Sequence, residues 1–175
     1  MFLRRAPNFC YGRRGWTNAG HRLFNFAAED NVDWLFQTEP SFSYVFLRFG
    51  LALTFFMHGT QHAFGWHGGK GPKAQVTNWR DKYHIPIPVG VFALVIELCT
   101  VVSMIVGFAV RPVAFCLAVF VAFALVLGHW NSGFFLATRD GKGSGIEYTL
   151  ALFLMALAVM VGGAGALSID ALLSR

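Results

Sequence analysis

Charged residues are scarce in this sequence: Asp, Glu, Lys and Arg together make up only 13% of its 175 residues. An ordinary soluble domain contains about 25% of them. Hydrophobic residues account for 55% of the chain, and its mean hydropathy is +0.52. A soluble domain of this length could not bury so much apolar surface, and a disordered chain would not contain it. The composition therefore predicts an integral membrane protein with one domain.

Cysteine is also scarce, with only Cys10, Cys99 and Cys116 in the chain. They form no CxxC pair and have no spacing typical of metal ligands, so a disulfide-stapled secreted scaffold is excluded. Acidic residues number nine against fourteen Lys and Arg, which gives a net charge of +5. The basic residues lie in the N-terminal segment and in loops between apolar runs. We therefore expect them to set membrane topology and contact headgroups, and we expect no nucleic-acid partner.

Four long apolar runs are present, over about residues 42–65, 88–110, 112–130 and 146–167. Each is about 19 to 24 residues long, enough for a helix to cross a hydrocarbon core of about 30 Å. Because the bilayer interior offers no water to backbone amides, each crossing should be helical. The expected fold class is all-α, an integral membrane four-helix bundle formed by residues 42–175.

The connections between these runs differ in length. Only Arg111-Pro112 separates the second run from the third, which predicts a tight antiparallel hairpin with Pro112 in the first turn of the third helix. The longer link after the first run contains Ala74–Tyr83, which we expect to form an interfacial helical turn anchored by Trp79 and Tyr83.

Residues 1–41 form a basic N-terminal extension. Its first 28 residues contain five arginines and no acid. It lacks the apolar core of a secretory signal peptide, although it resembles a mitochondrial presequence. We favour a cytoplasmic tail that follows the positive-inside rule and contacts lipid headgroups. The near-helical apolar spacing of residues 21–36 predicts an amphipathic helix on the membrane surface, ended by Pro40.

An even number of spans places both termini on the same side of the membrane. That side would carry seven Lys and Arg residues against six on the other, and the cluster before the first span decides the orientation. We expect a multi-pass protein of a bacterial inner membrane with both termini cytoplasmic. The mitochondrial inner membrane is the alternative.

Polar side chains inside the spans stand out because their desolvation is costly. His58 and His62 lie one turn apart on one helix face, and Glu97 lies about 13 Å deep in the second span at 1.5 Å per residue. Depth along the spans brings eight candidates for a quinone and proton site into the outer half of the bundle: His58, Gln61, His62, Glu97, His129, Asn131, Glu147 and Tyr148. Arg48 lies near the opposite boundary, where we expect it to snorkel or to contact headgroups.

This cluster has several interpretations. One is a structural hydrogen-bond network that fixes the register of the helices. A second is a quinol site, where imidazole or amide donors hold the quinone oxygens and Glu97 carries the released proton. Haem between His58 and His129 is disfavoured because their depths differ by about 10 Å. A metal ion at His58, His62 and Glu97 suits the histidine spacing, but nothing specifies the ion. Quinone is the favoured ligand, and no metal site is assigned.

An ordered set of motifs resembles the DoxX family and covers about residues 44–172. The matching positions are, in chain order, Arg48–Leu53, Phe56–Gly59, Phe64-Gly65, Glu97, Gly107 before Arg111, His129, Asn131–Phe135, Glu147-Tyr148 and Leu167–Asp170. The sequence departs from the pattern near His62, where many family members have lysine. The basic extension is not part of the family core.

The resemblance implies a four-helix topology similar to the small subunit of a terminal quinol oxidase and to membrane subunits of thiosulfate:quinone oxidoreductases. It implies no set of catalytic residues. The first functional hypothesis is a membrane subunit of a quinone-linked respiratory complex, with other membrane subunits as partners. The second is a non-catalytic structural or assembly subunit. A small transporter is disfavoured because four helices leave little room for a pathway. Whether the chain is an enzyme or an accessory subunit of an oxidoreductase stays open.

Overall fold

The computed structural model describes residues 32–136 and 145–174. Every regular element within these two ranges is helical. The basic extension lies almost wholly outside them, and so does most of the amphipathic helix predicted over residues 21–36. Of that segment, Val32–Leu35 form one short 3-10 helix.

Six α-helices form within the described ranges. They are α1 (Phe42–Phe64), α2 (Pro72–Tyr83), α3 (Ile87–Val106), α4 (Val110–Ala124), α5 (Glu147–Gly162) and α6 (Ile169–Leu173). A π-helical turn, Leu125–His129, and a 3-10 turn, Trp130–Ser132, continue the direction of α4.

Three helices are long and apolar enough to cross a membrane: α1, α3, and α4 with its continuation to Ser132. They correspond to the first three predicted runs. The fourth run is shorter as a helix than the sequence predicts. α5 has 16 residues and ends at Gly162, because Gly163 adopts a φ of 81° and leaves the helical region.

Both predicted connections form, with shifted bounds. α3 ends at Val106, and the tight turn lies at residues 107–109, so that Pro112 falls in the first turn of α4. A proline costs little there, since its missing N–H would have no helical partner. The helix predicted over Ala74–Tyr83 is α2, which begins at Pro72.

The apolar helices pack in two close pairs, α1 with α3 and α4 with α5, and the pairs meet through α3 with α4 and α1 with α5. The core they enclose is built from Leu51, Ala52, Phe55, Met104, Val110, Ala114, Leu117, Ala118, Val121, Leu152, Ala156, Val159 and Ala164. The small side chains at Ala114 and Ala118 keep α4 thin on its packed side, which permits close helix approach.

The outward faces of these helices are covered by large apolar side chains. No more than 39% of each candidate span is buried inside the protein. Phe46, Leu53 and Val161, each at least 68% exposed, lie on such faces. Exposed apolar surface on this scale needs a hydrocarbon solvent, so the chain is an integral membrane protein.

Arg48 of α1 is only 1% exposed, so the expectation that it snorkels or contacts headgroups is wrong. Its guanidinium donates from Nε to the Met104 carbonyl at 3.0 Å and from Nη2 to the Leu167 carbonyl at 2.9 Å. Nη1 donates to the Ala164 carbonyl. The chain after α5 folds back over the guanidinium. Its backbone carbonyls, in place of lipid headgroups, accept hydrogen bonds of Arg48.

Asp170 is the acidic counterpart at this end, and it is 2% exposed. Its carboxylate accepts hydrogen bonds from the backbone N–H groups of Ala109 and Val110, both at 2.9 Å. Ala109 has a φ of 52°, which is unfavourable for a residue with a side chain. The carboxylate therefore caps the start of α4 and holds this strained residue in place.

Residues 163–173, which we call the C-terminal clasp, close this end of the bundle. Gly107 faces the clasp, and a Cβ there would overlap Ser168 and the Arg48 guanidinium. The segment before α1 joins from the other side, since Gly165 N–H donates to Thr38 Oγ1 and Ala166 N–H to the Ser41 carbonyl. Sequence-distant parts of the chain are thus fixed around one guanidinium.

We predict that Arg48→Met destabilises the protein by at least about 3 kcal/mol, because three carbonyls lose their donor where water is excluded. The measurement is thermal unfolding in detergent. Lys82→Met, at an exposed position of α2, is the control for loss of one positive charge. An Arg48→Met variant as stable as this control would contradict the role of the guanidinium.

Candidate functional site

A histidine–carboxylate pair lies at the other end of the bundle. His62 Nδ1 is 2.9 Å from Glu97 Oε2 and 3.0 Å from Oε1. The Glu97 side chain is 1% exposed and the His62 side chain is 20% exposed. The pair therefore shares a proton between a fully buried carboxyl group and an imidazole that reaches the surface.

The positions of His62 on α1 and Glu97 on α3 bring the two side chains to the same level of the bundle. His62 lies in the last turn of α1, and Glu97 lies at mid-length on α3, which runs in the opposite direction. Gly59 lies where α1 meets α3, and a Cβ there would make an ordinary van der Waals contact of 3.5 Å with the Glu97 side chain. The neighbouring Thr100 hydroxyl donates to the Ile96 carbonyl at 2.8 Å, which leaves His62 as the partner of the carboxyl group.

Two further rings extend the pair toward the surface. The ring centroids of His58 and His62 are 6.1 Å apart, and those of His58 and Tyr148 are 6.4 Å apart. Tyr148 opens α5 and is 39% exposed. Tyr148, His58, His62 and Glu97 are thus neighbours in this order, from an exposed phenol to a buried carboxyl group, and we call them the polar track.

Trp79 of α2 covers His62 of the polar track. Its ring meets His62 edge-on, with centroids 5.4 Å apart, and also contacts Phe120 at 6.4 Å. The sequence predicted Trp79 as an interfacial anchor and missed this contact. α2 is fixed here because Val76 packs on Gly90, where an added Cβ would lie 3.1 Å from the valine.

Four other predicted site residues have different surroundings. Gln61 donates from Nε2 to the His67 carbonyl at 3.4 Å and so contacts the loop after α1. Glu147 accepts from the Leu136 N–H at 2.7 Å and fixes the chain before α5. Asn131 is exposed, and His129 is half-buried at the end of the π-helical turn.

The chemistry available to the polar track is proton transfer. Within residues 32–136 and 145–174, no group of three or more His, Cys, Asp or Glu side chains is placed to hold a metal ion. The expectations that no metal ion lies at His58, His62 and Glu97 and that no haem lies between His58 and His129 both stay predictions. A carboxyl group joined to an imidazole is a typical acid–base unit, with the imidazole as the exchanging partner.

A family model decides the relationship suggested by the motifs. The DoxX model matches residues 43–130, which is about half of the chain. The chain belongs to the DoxX family. Neither a comparison with curated proteins nor one with solved structures finds a match to it.

The DoxX match covers α1 to the end of the π-helical turn, a shorter stretch than the resemblance over residues 44–172. His58, His62 and Glu97 of the polar track lie inside it, as does Trp79. Tyr148 and the C-terminal clasp lie beyond it. Arg48 is inside the match while its carbonyl partners Ala164 and Leu167 are outside, so one buried guanidinium joins the matched part of this DoxX protein to the rest.

We predict strong energetic coupling between His62 and Glu97. His62→Ala leaves a buried carboxyl group without its partner and should cost about 3–5 kcal/mol. The double variant His62→Ala/Glu97→Leu should be more stable than His62→Ala alone, because no polar group is then stranded. A double-mutant cycle by thermal unfolding in detergent measures the coupling, expected at about 1–3 kcal/mol. Additive single effects would show that the pair does not act as a unit.

Proposed function

We propose that this DoxX protein is the integral membrane subunit of a quinone-linked redox complex and that its polar track accepts protons from a quinol. The observation that carries the proposal is the bonding of the fully buried Glu97 to His62, whose imidazole is partly exposed. A buried carboxyl group in a membrane protein is costly, and such groups mark proton pathways. The proposed role of Glu97 is therefore proton transfer as well as packing.

The exposed end of the track is suited to a quinol headgroup. Tyr148 and His58 carry an O–H and a ring nitrogen that can hydrogen-bond the two ring oxygens of a quinol. Tyr148 is 39% exposed, so an amphipathic molecule in the bilayer can reach its phenol, and the half-buried His58 ring lies beside it. Aromatic rings with a few placed polar groups are typical of sites for flat organic ligands.

The balance of protons and electrons in quinol oxidation divides the proposed reaction between this chain and a partner subunit. Oxidation of one quinol to quinone breaks two O–H bonds and releases two protons and two electrons. His58 takes each proton in turn, and the His62–Glu97 pair passes it on toward water at the exposed edge of His62. The two imidazole centroids are 6.1 Å apart, and the proposal places one bridging water between the rings. Both electrons go to a redox centre in a partner subunit, which makes this chain an accessory proton-handling subunit.

The membrane arrangement follows from the same proposal. α5 spans the bilayer as a fourth helix, although its 16 residues give only about 24 Å at 1.5 Å per residue. Local thinning of the bilayer and packing against α4 accommodate the shortfall. Four spans put both termini in the cytoplasm of a bacterium, and the basic extension contacts anionic headgroups or a partner subunit.

A second candidate is a structural or assembly subunit. It is favoured by the finding that no buried side-chain nitrogen or oxygen in the described part of the chain lacks a hydrogen-bond partner. A fully satisfied polar network fixes the register of helices without any chemistry. The two candidates differ in what a variant of the track does to turnover and to assembly.

We predict that a quinone quenches Trp79 fluorescence saturably in the purified chain in nanodiscs. The part of the signal due to Trp79 is the difference between the wild type and Trp79→Phe. His58→Phe should weaken the apparent affinity about ten-fold, because one hydrogen bond to a quinone oxygen is lost. Asp81→Asn, at an exposed acid on α2, should leave the affinity unchanged. Quenching that is linear in quinone and the same in all variants would contradict a site.

We predict that Glu97→Gln lowers the quinol-dependent turnover of the host complex by about 10²–10⁴-fold, the usual contribution of a positioned acid–base group. Quinone binding and co-purification with the partner subunits should stay within about three-fold of the wild type, because the amide keeps the shape of the carboxyl group. Loss of the assembled complex together with turnover would favour the structural subunit instead.

A further inference from the structure

A groove between α2 and α3 is a second polar feature at the membrane boundary, and the polar track does not use it. Its volume is about 390 Å³. Lys73 and Thr77, from the first turns of α2, form its polar rim. Ile87 and Val91 form its wall on α3, and the groove continues down to Leu94.

The groove lies on the opposite flank of α2 from the polar track. Val76 is the contact in the middle, docked on Gly90 and buried to 6% exposure. Trp79 lies on one side of this contact, against His62. Lys73 and Thr77 lie on the other side, so a ligand there would not touch the histidine–carboxylate pair.

The charge at the rim is uncompensated. Lys73 is exposed and pairs with no carboxylate of residues 32–136 or 145–174. The first turn of α2 contains no acid, and no side chain caps its N-terminus. The lining of the groove contains no acidic residue, so Lys73 is the charged side chain there, and Lys70 lies three residues before it in the chain.

The apolar wall of the groove runs along α3, in the direction that an acyl chain takes in a bilayer. Ile87, Val91 and Leu94 follow one face of α3 away from the membrane boundary, over about 10 Å at 1.5 Å per residue. A neutral lipid would not use the lysine, and a soluble anion would not use the wall. We propose that this groove binds an acidic phospholipid, with its phosphate on Lys73 and Thr77 and one acyl chain along the α3 wall.

The experiment compares lipid stabilisation of the full chain in detergent. Phosphatidylglycerol and phosphatidylcholine with identical acyl chains are titrated, and the apparent dissociation constants are obtained from the shift of the unfolding temperature. A lysine near an anionic lipid surface gives about a five-fold preference for the acidic headgroup. Wild type should show at least this preference, and Lys73→Gln should reduce it to less than two-fold.

Matched variants separate the groove from general attraction. Lys82→Gln removes the same charge from the other end of α2, where the ammonium lies over the Tyr83 ring, and should keep the full preference. Val91→Trp fills the apolar wall and should abolish stabilisation by both lipids at low concentration. Soluble glycerol phosphate should not stabilise the protein, because it lacks the acyl chain.

Three results would contradict the proposal that the groove binds an acidic phospholipid. Equal binding of the two lipids by wild type, or an unchanged preference in Lys73→Gln, would overturn the proposal. Stabilisation by glycerol phosphate as strong as that by phosphatidylglycerol would make the groove a site for soluble phosphate and would also overturn it. None of these outcomes bears on quinone quenching of Trp79, so the two proposals fail independently.

Discussion

The architecture depends on one buried guanidinium. The Arg48 guanidinium donates to the carbonyl of Met104 near the end of α3 and to two carbonyls of the C-terminal clasp, and Met104 and Ala164 are fully buried. A membrane interior offers no water to a backbone that leaves the helix, so an irregular segment needs a donor from the protein. One side chain with a rigid fork of N–H groups supplies it. The clasp in turn carries Asp170, which caps α4, so the hairpin of α3 and α4 is fixed by the same arrangement.

The two ends of the bundle use buried charge in opposite ways. At the Arg48 end, the Arg48 and Asp170 side chains hydrogen-bond to backbone groups, which locks the fold. At the Glu97 end, one carboxyl group is joined to one imidazole, and a proton can move between them without breaking a helix. The His62 side chain is 20% exposed, whereas that of Glu97 is 1% exposed. The buried charges at the two ends therefore differ in their partners, which are backbone groups around Arg48 and Asp170 and a second titratable side chain beside Glu97.

Most of the fold was predictable from the sequence because apolar runs and their lengths reflect the bilayer directly. The proximity of His62 to Glu97 was also predictable, since the rise of a helix converts residue number into depth. Helix rotation was not, and Gln61 and Glu147 contact loops for that reason. The burial of Arg48 was missed because its partners lie in a segment predicted as helix. Gly163 and Gly165 have positive φ values, and α5 ends before them, so the segment that follows folds back over Arg48.

α2 contributes one side chain that covers the polar track and others that line the groove beside Lys73. It is a helix of 12 residues, held to α3 by Val76 on Gly90, with Trp79 on one flank and Lys73 on the other. Val76 lies between these two flanks, so the groove beside Lys73 and the contact of Trp79 with His62 are separate features with one support. The packing of Val76 on Gly90 fixes the position of both, although a ligand in the groove would not contact the histidine–carboxylate pair.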